Sequence, residues 1–332
     1  VDQGWDNSDR AFFYFSPQGS PILPLDIFKA LEQPKSDAMF LNEEYLQNFG
    51  MIFWNDAVAN PEGLPIGLTV DQSRLDPAPY LGMNCSACHV TEVKVADKRA
   101  LIDGGVSHFD FWRFMQELSA SLTATYEDDQ KFERYAARIE LGSGLTKEPD
   151  RIRANLRQAM QNREDWAYRN HTSIVPGPGR VDALNVILNQ VTSEMLGKPE
   201  NARAPDAPVS YPFLWDAPYL DFVQYNGVVP NAGVGALARN VGQVLGVFGE
   251  VDLAERTLPL GYNSSVNVPH LIELERKLET LKSPVWDEFT VNGLLPKVDQ
   301  LLAAEGADLY RVNCASCHLA IDREDRGDLA SI

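Results

Sequence analysis

All four cysteines of the chain fall in two copies of one pentapeptide, Cys85-Ser86-Ala87-Cys88-His89 and Cys314-Ala315-Ser316-Cys317-His318. Two thiols separated by two residues sit about one helical turn apart, so they can add to the two vinyl groups on one edge of a porphyrin. The histidine that follows directly then lies beneath the ring, where its imidazole reaches the iron. This chemistry needs both the spacing and the adjacent histidine. The expectation is therefore two covalently bound haem c groups. Cys85, Cys88, Cys314 and Cys317 would be the attachment sites, and His89 and His318 the iron ligands. No cysteine is left for a structural disulfide.

Other uses of the same residues match less well. A zinc ribbon also uses two C-x-x-C pairs, but ~15–20 residues apart, whereas Cys88 and Cys314 are separated by most of the chain. Two separate zinc sites would need further ligands that the sequence does not obviously supply. A thioredoxin-like pair explains one C-x-x-C within a βαβ pattern, not two, and requires no histidine.

The elements that must position these motifs read as mainly helical. The stretch to about Pro65 is rich in aromatics and broken by prolines, with short helices expected over Leu25–Glu32 and Glu43–Gly50. Pro77 and Pro79 bar a long helix from leading into Cys85. After the motif, Ser107 is a candidate N-cap, and Phe109, Trp112, Met115, Leu118 and Leu122 recur at helical spacing. Further helices are expected over Asp128–Leu141, Glu148–Arg163, Val181–Met195, Ala236–Phe248 and Leu271–Leu281. Gly177-Pro178-Gly179-Arg180 is a break, and Asn201–Pro212 a proline- and alanine-rich excursion. Val298, Leu301, Leu302, Leu309 and Val312 predict a helix running into Cys314. The expected fold is mainly α, with two cytochrome c-like haem domains carrying long loop-rich insertions. Residues 1–290 would form the N-terminal haem domain with its extensions, and 291–332 the start of a second one. Fourteen residues follow His318, so that second domain is expected to be incomplete, its pocket finished by a further C-terminal part or another chain.

The sequence resembles the diheme cytochrome c peroxidase superfamily, most of all its branch of rubber oxygenases, the diheme dioxygenases that cleave polyisoprene. The likeness rests on Leu81-Gly82-Met83-Asn84 leading into Cys85–His89, and on Asp103-Gly104-Gly105 followed by Phe109-Asp110-Phe111. It continues through Gly177–Ala183, Leu214-Trp215-Asp216-Ala217-Pro218, Ala238–Gly242, Gly246–Gly249 and Cys314–His318. The resemblance implies one reaction-centre haem with an open or exchangeable distal position and one six-coordinate haem that passes electrons. In the oxygenase branch the reaction centre would be the haem held by His89. Neither the distal aromatic residue of that branch nor the acid/base side chain of the peroxidases has an assigned counterpart here.

Outside the motifs, His108, His171 and His270 are candidate sixth ligands, each with an ordinary alternative as a helix-cap, loop or helix-entry residue. Met83 lies too near Cys85 to reach the distal face of its own haem. Met39, Met51, Met115, Met160 and Met195 read as core. Trp112 and Trp215 could relay electrons or fill space beside a porphyrin, and Arg180 and Arg239 could pair with propionates or with surface carboxylates.

With 47 acidic residues against 29 basic ones, the formal charge is −18. That balance disfavours nucleic acid and favours a basic redox partner. No apolar run is long enough to cross a bilayer, and covalent haem attachment implies a periplasmic or secreted bacterial protein. Two functions remain. One is a redox enzyme of peroxidase or dioxygenase type, taking peroxide or dioxygen at the N-terminal haem and electrons through the C-terminal one. The alternative is a non-catalytic electron-transfer multihaem cytochrome, against which the long region between the motifs argues.

Overall fold

A computed structural model describes residues 1–143, 148–223, 227, 229–257, 261–291, 293–318, 320 and 323. It corrects the mainly-α expectation of paired cytochrome c-like domains. The described residues are 45% helical and 14% strand, a mixed α/β fold with several small sheets. The strands lie where they matter most, on both sides of the first motif.

The N-terminal part comprises α1 (Asn7–Phe15), β1 (Pro21–Pro24), α2 (Leu25–Ala30), α3 (Glu43–Gln47), β2 (Leu68–Gln72) and β3 (Pro79–Met83). The strands form an antiparallel sheet in the order β1-β3-β2, so β3 is central and runs directly into Cys85. Pro79 sits at the first residue of its strand, where a missing N–H interrupts the ladder least. Behind the motif, β4 (Val90–Val95) and β5 (Lys98–Asp103) form a hairpin. Its two-residue turn begins at Ala96, whose φ of 54° is left-handed.

The helical part follows. In α4 (Phe111–Glu127), Phe111, Phe114, Met115, Leu118 and Leu122 make the buried stripe. The helix is capped by Asp110, which accepts from Arg113 N, while Ser107 Oγ instead accepts from Phe109 N. Helices α5 (Asp129–Ser143) and α6 (Pro149–Arg169) pack beside it. Fully buried Glu32 beyond α2 gathers Lys131, Arg134 and Arg138 of α5, at 3.2, 2.6 and 2.7 Å. Burial alone would raise its carboxyl, but hydrogen bonds from Arg134, Arg138 and Lys131 outweigh this and hold it at about 2.

Strands β6 (Arg180–Val181) and β7 (Val209–Ser210) pair across α7 (Ala183–Leu188), which continues as a π-helical segment, Asn189–Met195. Helix α8 (Gly235–Val247) and a β8 (Val251–Thr257)–β9 (Gly261–Ser264) pair precede α9 (Val268–Leu278), whose Leu271, Leu274 and Leu278 are buried as their spacing requires. Helices α10 (Trp286–Val291) and α11 (Gln300–Asn313) complete the described elements. The expected α11 is present, but Leu301, Leu302, Leu309 and Val312 are 65–79% exposed. No described element buries it.

Candidate functional site

The first motif is a tight turn held by side-chain hydrogen bonds and by close backbone approach. Cys85–Ala87 form one turn of 3₁₀ helix. Its N-cap is Asn84, whose Oδ1 accepts from Ser86 N at 3.0 Å and Ser86 Oγ at 2.7 Å. The same buried side chain donates through Nδ2 to the carbonyls of Phe13, Tyr14 and Ser16, at 3.1, 3.3 and 3.1 Å. Asn84 therefore fastens the turn to the C-terminal end of α1, where helix carbonyls lack intrahelical partners.

A second clamp is steric. Gly67 has φ of 90° and crosses the turn so closely that a Cβ there would meet Ala87 Cα and N at 2.3 Å. Only glycine combines that backbone angle with that approach. Its N–H donates to Tyr14 O, and its carbonyl accepts from Asn84 N.

The thiols occupy two apolar environments. Cys85 packs with the cluster of Phe13, Tyr14, Ile66 and Leu274, and Cys88 with the main core. Gln18 Oε1 stands 3.1 Å from Cys85 Sγ. Gln18 is placed by Asp71, which accepts from Gly19 N, Ser20 N and Thr69 Oγ1 at 2.8, 2.6 and 2.6 Å. Tyr211 lies beside Cys88 and donates its hydroxyl to Phe109 O at 3.0 Å. Burial pushes Cys85 up to about 11 and Cys88 up to about 12, so both remain thiols rather than reactive thiolates.

His89 is held by the backbone. Its Nδ1 lies 2.8 Å from the carbonyl oxygen of Pro212. A carbonyl only accepts, so Nδ1 carries the proton and the Nε2 lone pair is free. This is the arrangement of a metal-binding imidazole oriented by an outer hydrogen bond. Burial holds the ring at about 4, keeping it neutral at ordinary pH.

The segment carrying Pro212 is fixed at both ends. Upstream, Tyr211 N donates to Gly179 O, and Gly179 N to Phe109 O. Downstream, Leu214 N donates to Gly104 O, and Trp215 Nε1 to Asp103 O at 2.8 Å. The Gly177–Arg180 and Asp103–Gly105 sequences thus serve to bring one carbonyl to one imidazole. Tyr211 and Pro212 carried no sequence signal. A backbone carbonyl leaves no trace in residue type, and Tyr211 sat in a stretch read as a surface excursion.

The remaining candidates divide. His270 is half-buried, with Nδ1 2.7 Å from Pro17 O, and so adjoins the segment that touches Cys85. His108 and His171 are exposed. Met51 and Met115 lie in the main core and Met160 packs against it, as expected; Met39 and Met195 are only half-buried, and Met83 is buried in the main core as well. Trp112 stacks obliquely on Trp166, 5.5 Å between centroids. Trp215 stacks on Phe213 at 5.4 Å, beside the His89 backing segment. Arg180 is exposed. Arg239 is mostly buried and pairs with Glu275 at 2.8 Å, and Asn240 donates to the same carboxylate. The Arg239 charge is felt at both Cys85 and His89.

The second motif has the same local winding without the surroundings. Cys314 N donates to Tyr310 O and His318 N to Cys314 O, both at 2.8 Å, and the Tyr310 hydroxyl donates to His318 O. Cys314 is half-buried, while Cys317 and His318 are exposed.

The first site fits a covalently attached haem on three counts: paired thiols on one turn, apolar walls on both sides, and an imidazole with its outer nitrogen engaged. Among the described residues, no group of three or more His, Cys, Asp or Glu side chains is arranged to hold a bare metal ion. A haem asks for one imidazole rather than such a cluster. No described helix is long and apolar enough to cross a membrane.

No protein-family model matches the chain, and no solved structure matches it. It is similar to uncharacterized protein y4iJ of Sinorhizobium fredii (strain NBRC 101917 / NGR234), with 30% identity over 353 aligned positions, 96% of this chain and 57% of the relative. The chain therefore spans a little over half the length of the relative it matches.

Proposed function

We propose that the chain is a c-type cytochrome with a haem bound at Cys85, Cys88 and His89, and a second at Cys314, Cys317 and His318. In this reading it acts as a redox enzyme of peroxidase or dioxygenase type. The observation that carries it is the His89 Nδ1–Pro212 O contact at 2.8 Å, which leaves Nε2 free beside two thiols on the same turn. The bound haem would supply a centre that accepts and returns single electrons and takes a small oxidant.

The chain's own residues do the rest. Asn84 and Gly67 hold the thiols on one edge, and Pro212 fixes the imidazole tautomer. Arg239, Asn240 and Glu275 place a charged, hydrogen-bonded group near Cys85 and His89. A polar, ionisable neighbourhood favours peroxide over an apolar substrate, because cleaving an O–O bond requires a proton to be moved. The second motif, directly after α11 and with Cys317 and His318 exposed, suits a role in passing electrons, and the acidic surface favours a basic redox partner. Covalent attachment would place the protein in the periplasm or outside the cell.

The test is intact-mass and pyridine haemochrome analysis of the protein matured in a haem-ligating host, followed by cyanide and carbon monoxide titration. Two haems per chain and ligand binding at one of them are expected. A chain without added tetrapyrrole mass refutes the cytochrome reading. Two haems that both refuse external ligands refute the enzyme and leave the electron carrier.

A further inference from the structure

Two of the buried carboxylates among the described residues are supplied with opposite charge. Glu32 has Lys131, Arg134 and Arg138, and Asp103 has Arg10 at 2.8 Å together with the Tyr14 hydroxyl. Arg163 breaks this pattern. It lies on the inward face of α6, in line with Ile152, Leu156, Ala159 and Trp166, and is only 8% exposed. Neither Nε nor Nη1 has a hydrogen-bond partner. Its guanidinium rests 5.2 Å from the centroid of the Phe248 ring.

One turn further along, Trp166 is 4% exposed, its ring 6.0 Å from that of Phe248, and its Nε1 is also without a partner. Two side chains on one helix face, each with an unsatisfied N–H, thus pack against the same phenyl ring. Arg169 adds a second positive charge nearby. It gives Nη1 to Glu194 at 2.7 Å, while its Nε too lacks a partner.

These unsatisfied nitrogens are all donors, and none of them accepts. An aromatic face returns only part of the hydration a guanidinium gives up on burial. A water molecule would satisfy single N–H groups and leave the charge uncompensated. An oxyanion would answer both, and arginine and tryptophan donors suit carboxylate oxygens. We propose that Arg163 and Trp166 form a buried carboxylate-binding site.

The carboxylate has two sources. One is a propionate of the haem at the first motif, since Trp166 and Phe248 belong to the same apolar cluster against which Cys88 packs. That source rests on the haem reading. The other is a small free carboxylate, which does not. Burial, with the charge of Arg169 second, pulls Arg163 down to about 10. This agrees with a cation lacking its counter-charge.

The test uses the full chain, matured and haem-free, as wild type, Arg163→Met, Arg163→Lys and Trp166→Phe. If the source is a free carboxylate, acetate binds the haem-free wild type saturably in calorimetry. Binding then weakens about tenfold or more in Arg163→Met, as loss of a charge-assisted contact requires, and less in Arg163→Lys. If the source is a propionate, acetate is silent on the matured protein, and its resonance Raman propionate band shifts in Arg163→Met. The site is refuted if acetate binds neither form, the propionate band is unmoved, and Arg163→Met raises the urea midpoint of both forms. Should Arg163→Met fail to fold, the Lys and Phe variants report through the same two readouts. A chain without haem removes only the propionate source, and acetate titration of that chain still decides the site.

Discussion

Asn84 and Asn313 each stand directly before a C-x-x-C-H motif, yet they should respond to substitution very differently. Asn84 is 5% exposed. Its Nδ2 has two hydrogens for three nearby carbonyls, so it makes two donor bonds at a time and accepts two more from Ser86. Four bonds at about 1 kcal/mol each put the cost of Asn84→Ala at about 4 kcal/mol. Asn84→Asp keeps the shape but turns a donor towards three carbonyl oxygens into a charged acceptor, and should cost at least as much. Asn313 is exposed and donates only to Leu309 O, within its own helix, so Asn313→Ala should stay within ~0.5 kcal/mol of wild type. The assay is urea denaturation of the full chain, with haem per chain measured by pyridine haemochrome. If the two motifs carry haem as proposed, Asn84→Ala should lower haem content from two towards one, because the turn that presents Cys85 and Cys88 has lost its anchor, while Asn313→Ala should retain both. Equal effects of the two alanines on stability and haem content would refute the claim that burial of the cap organises the first site.

Three further outcomes follow from the same framework. Gly67→Ala puts a methyl 2.3 Å from the Ala87 backbone at φ of 90°; it should cost more than ~2 kcal/mol in urea melts and, on the haem reading, deplete haem at the first motif. Glu32 titrates at about 2 in the folded chain against 4.5 unfolded, so its contribution is intact above pH 4.5 and is lost as pH falls from there to 2. Glu32→Gln should remove roughly 3 kcal/mol at neutral pH and flatten the acid limb of the stability curve. In the haem-free chain, folded His89 titrates at about 4 against 6.5 unfolded. Below pH 6.5 the unfolded state therefore takes up a proton that the folded state refuses, and stability should fall as pH drops from 6.5 through 4, a slope that His89→Gln should lack.

What the sequence disclosed, and what it hid, follows from the range of each interaction. Helices α4, α5, α6, α8 and α9 were legible because their apolar residues recur at helical spacing over two or more turns. The strands were not. β1 and β3 begin with proline, and the β4–β5 turn uses Ala96-Asp97 in place of a glycine-bearing hairpin signal. Each strand is also too short for alternation to stand out. The mainly-α expectation failed on these elements, and they are the ones that deliver Cys85 and back His89.

The proposed attachment residues can be named from sequence because their chemistry is local, within five positions. Their support is not local. Asn84 reaches residues of α1 about seventy positions earlier, and Pro212 reaches His89 across 123 positions. Arg163 shows the same limit from the other side. On α6, among Arg153, Arg157 and Glu164, it reads as one more solvated charge. Only the packing of Phe248 and Trp166 against it turns that residue into a buried cation. A charge so placed has no account from residue type alone, and a chain that balances Glu32 and Asp103 so fully gives reason to look for what balances Arg163.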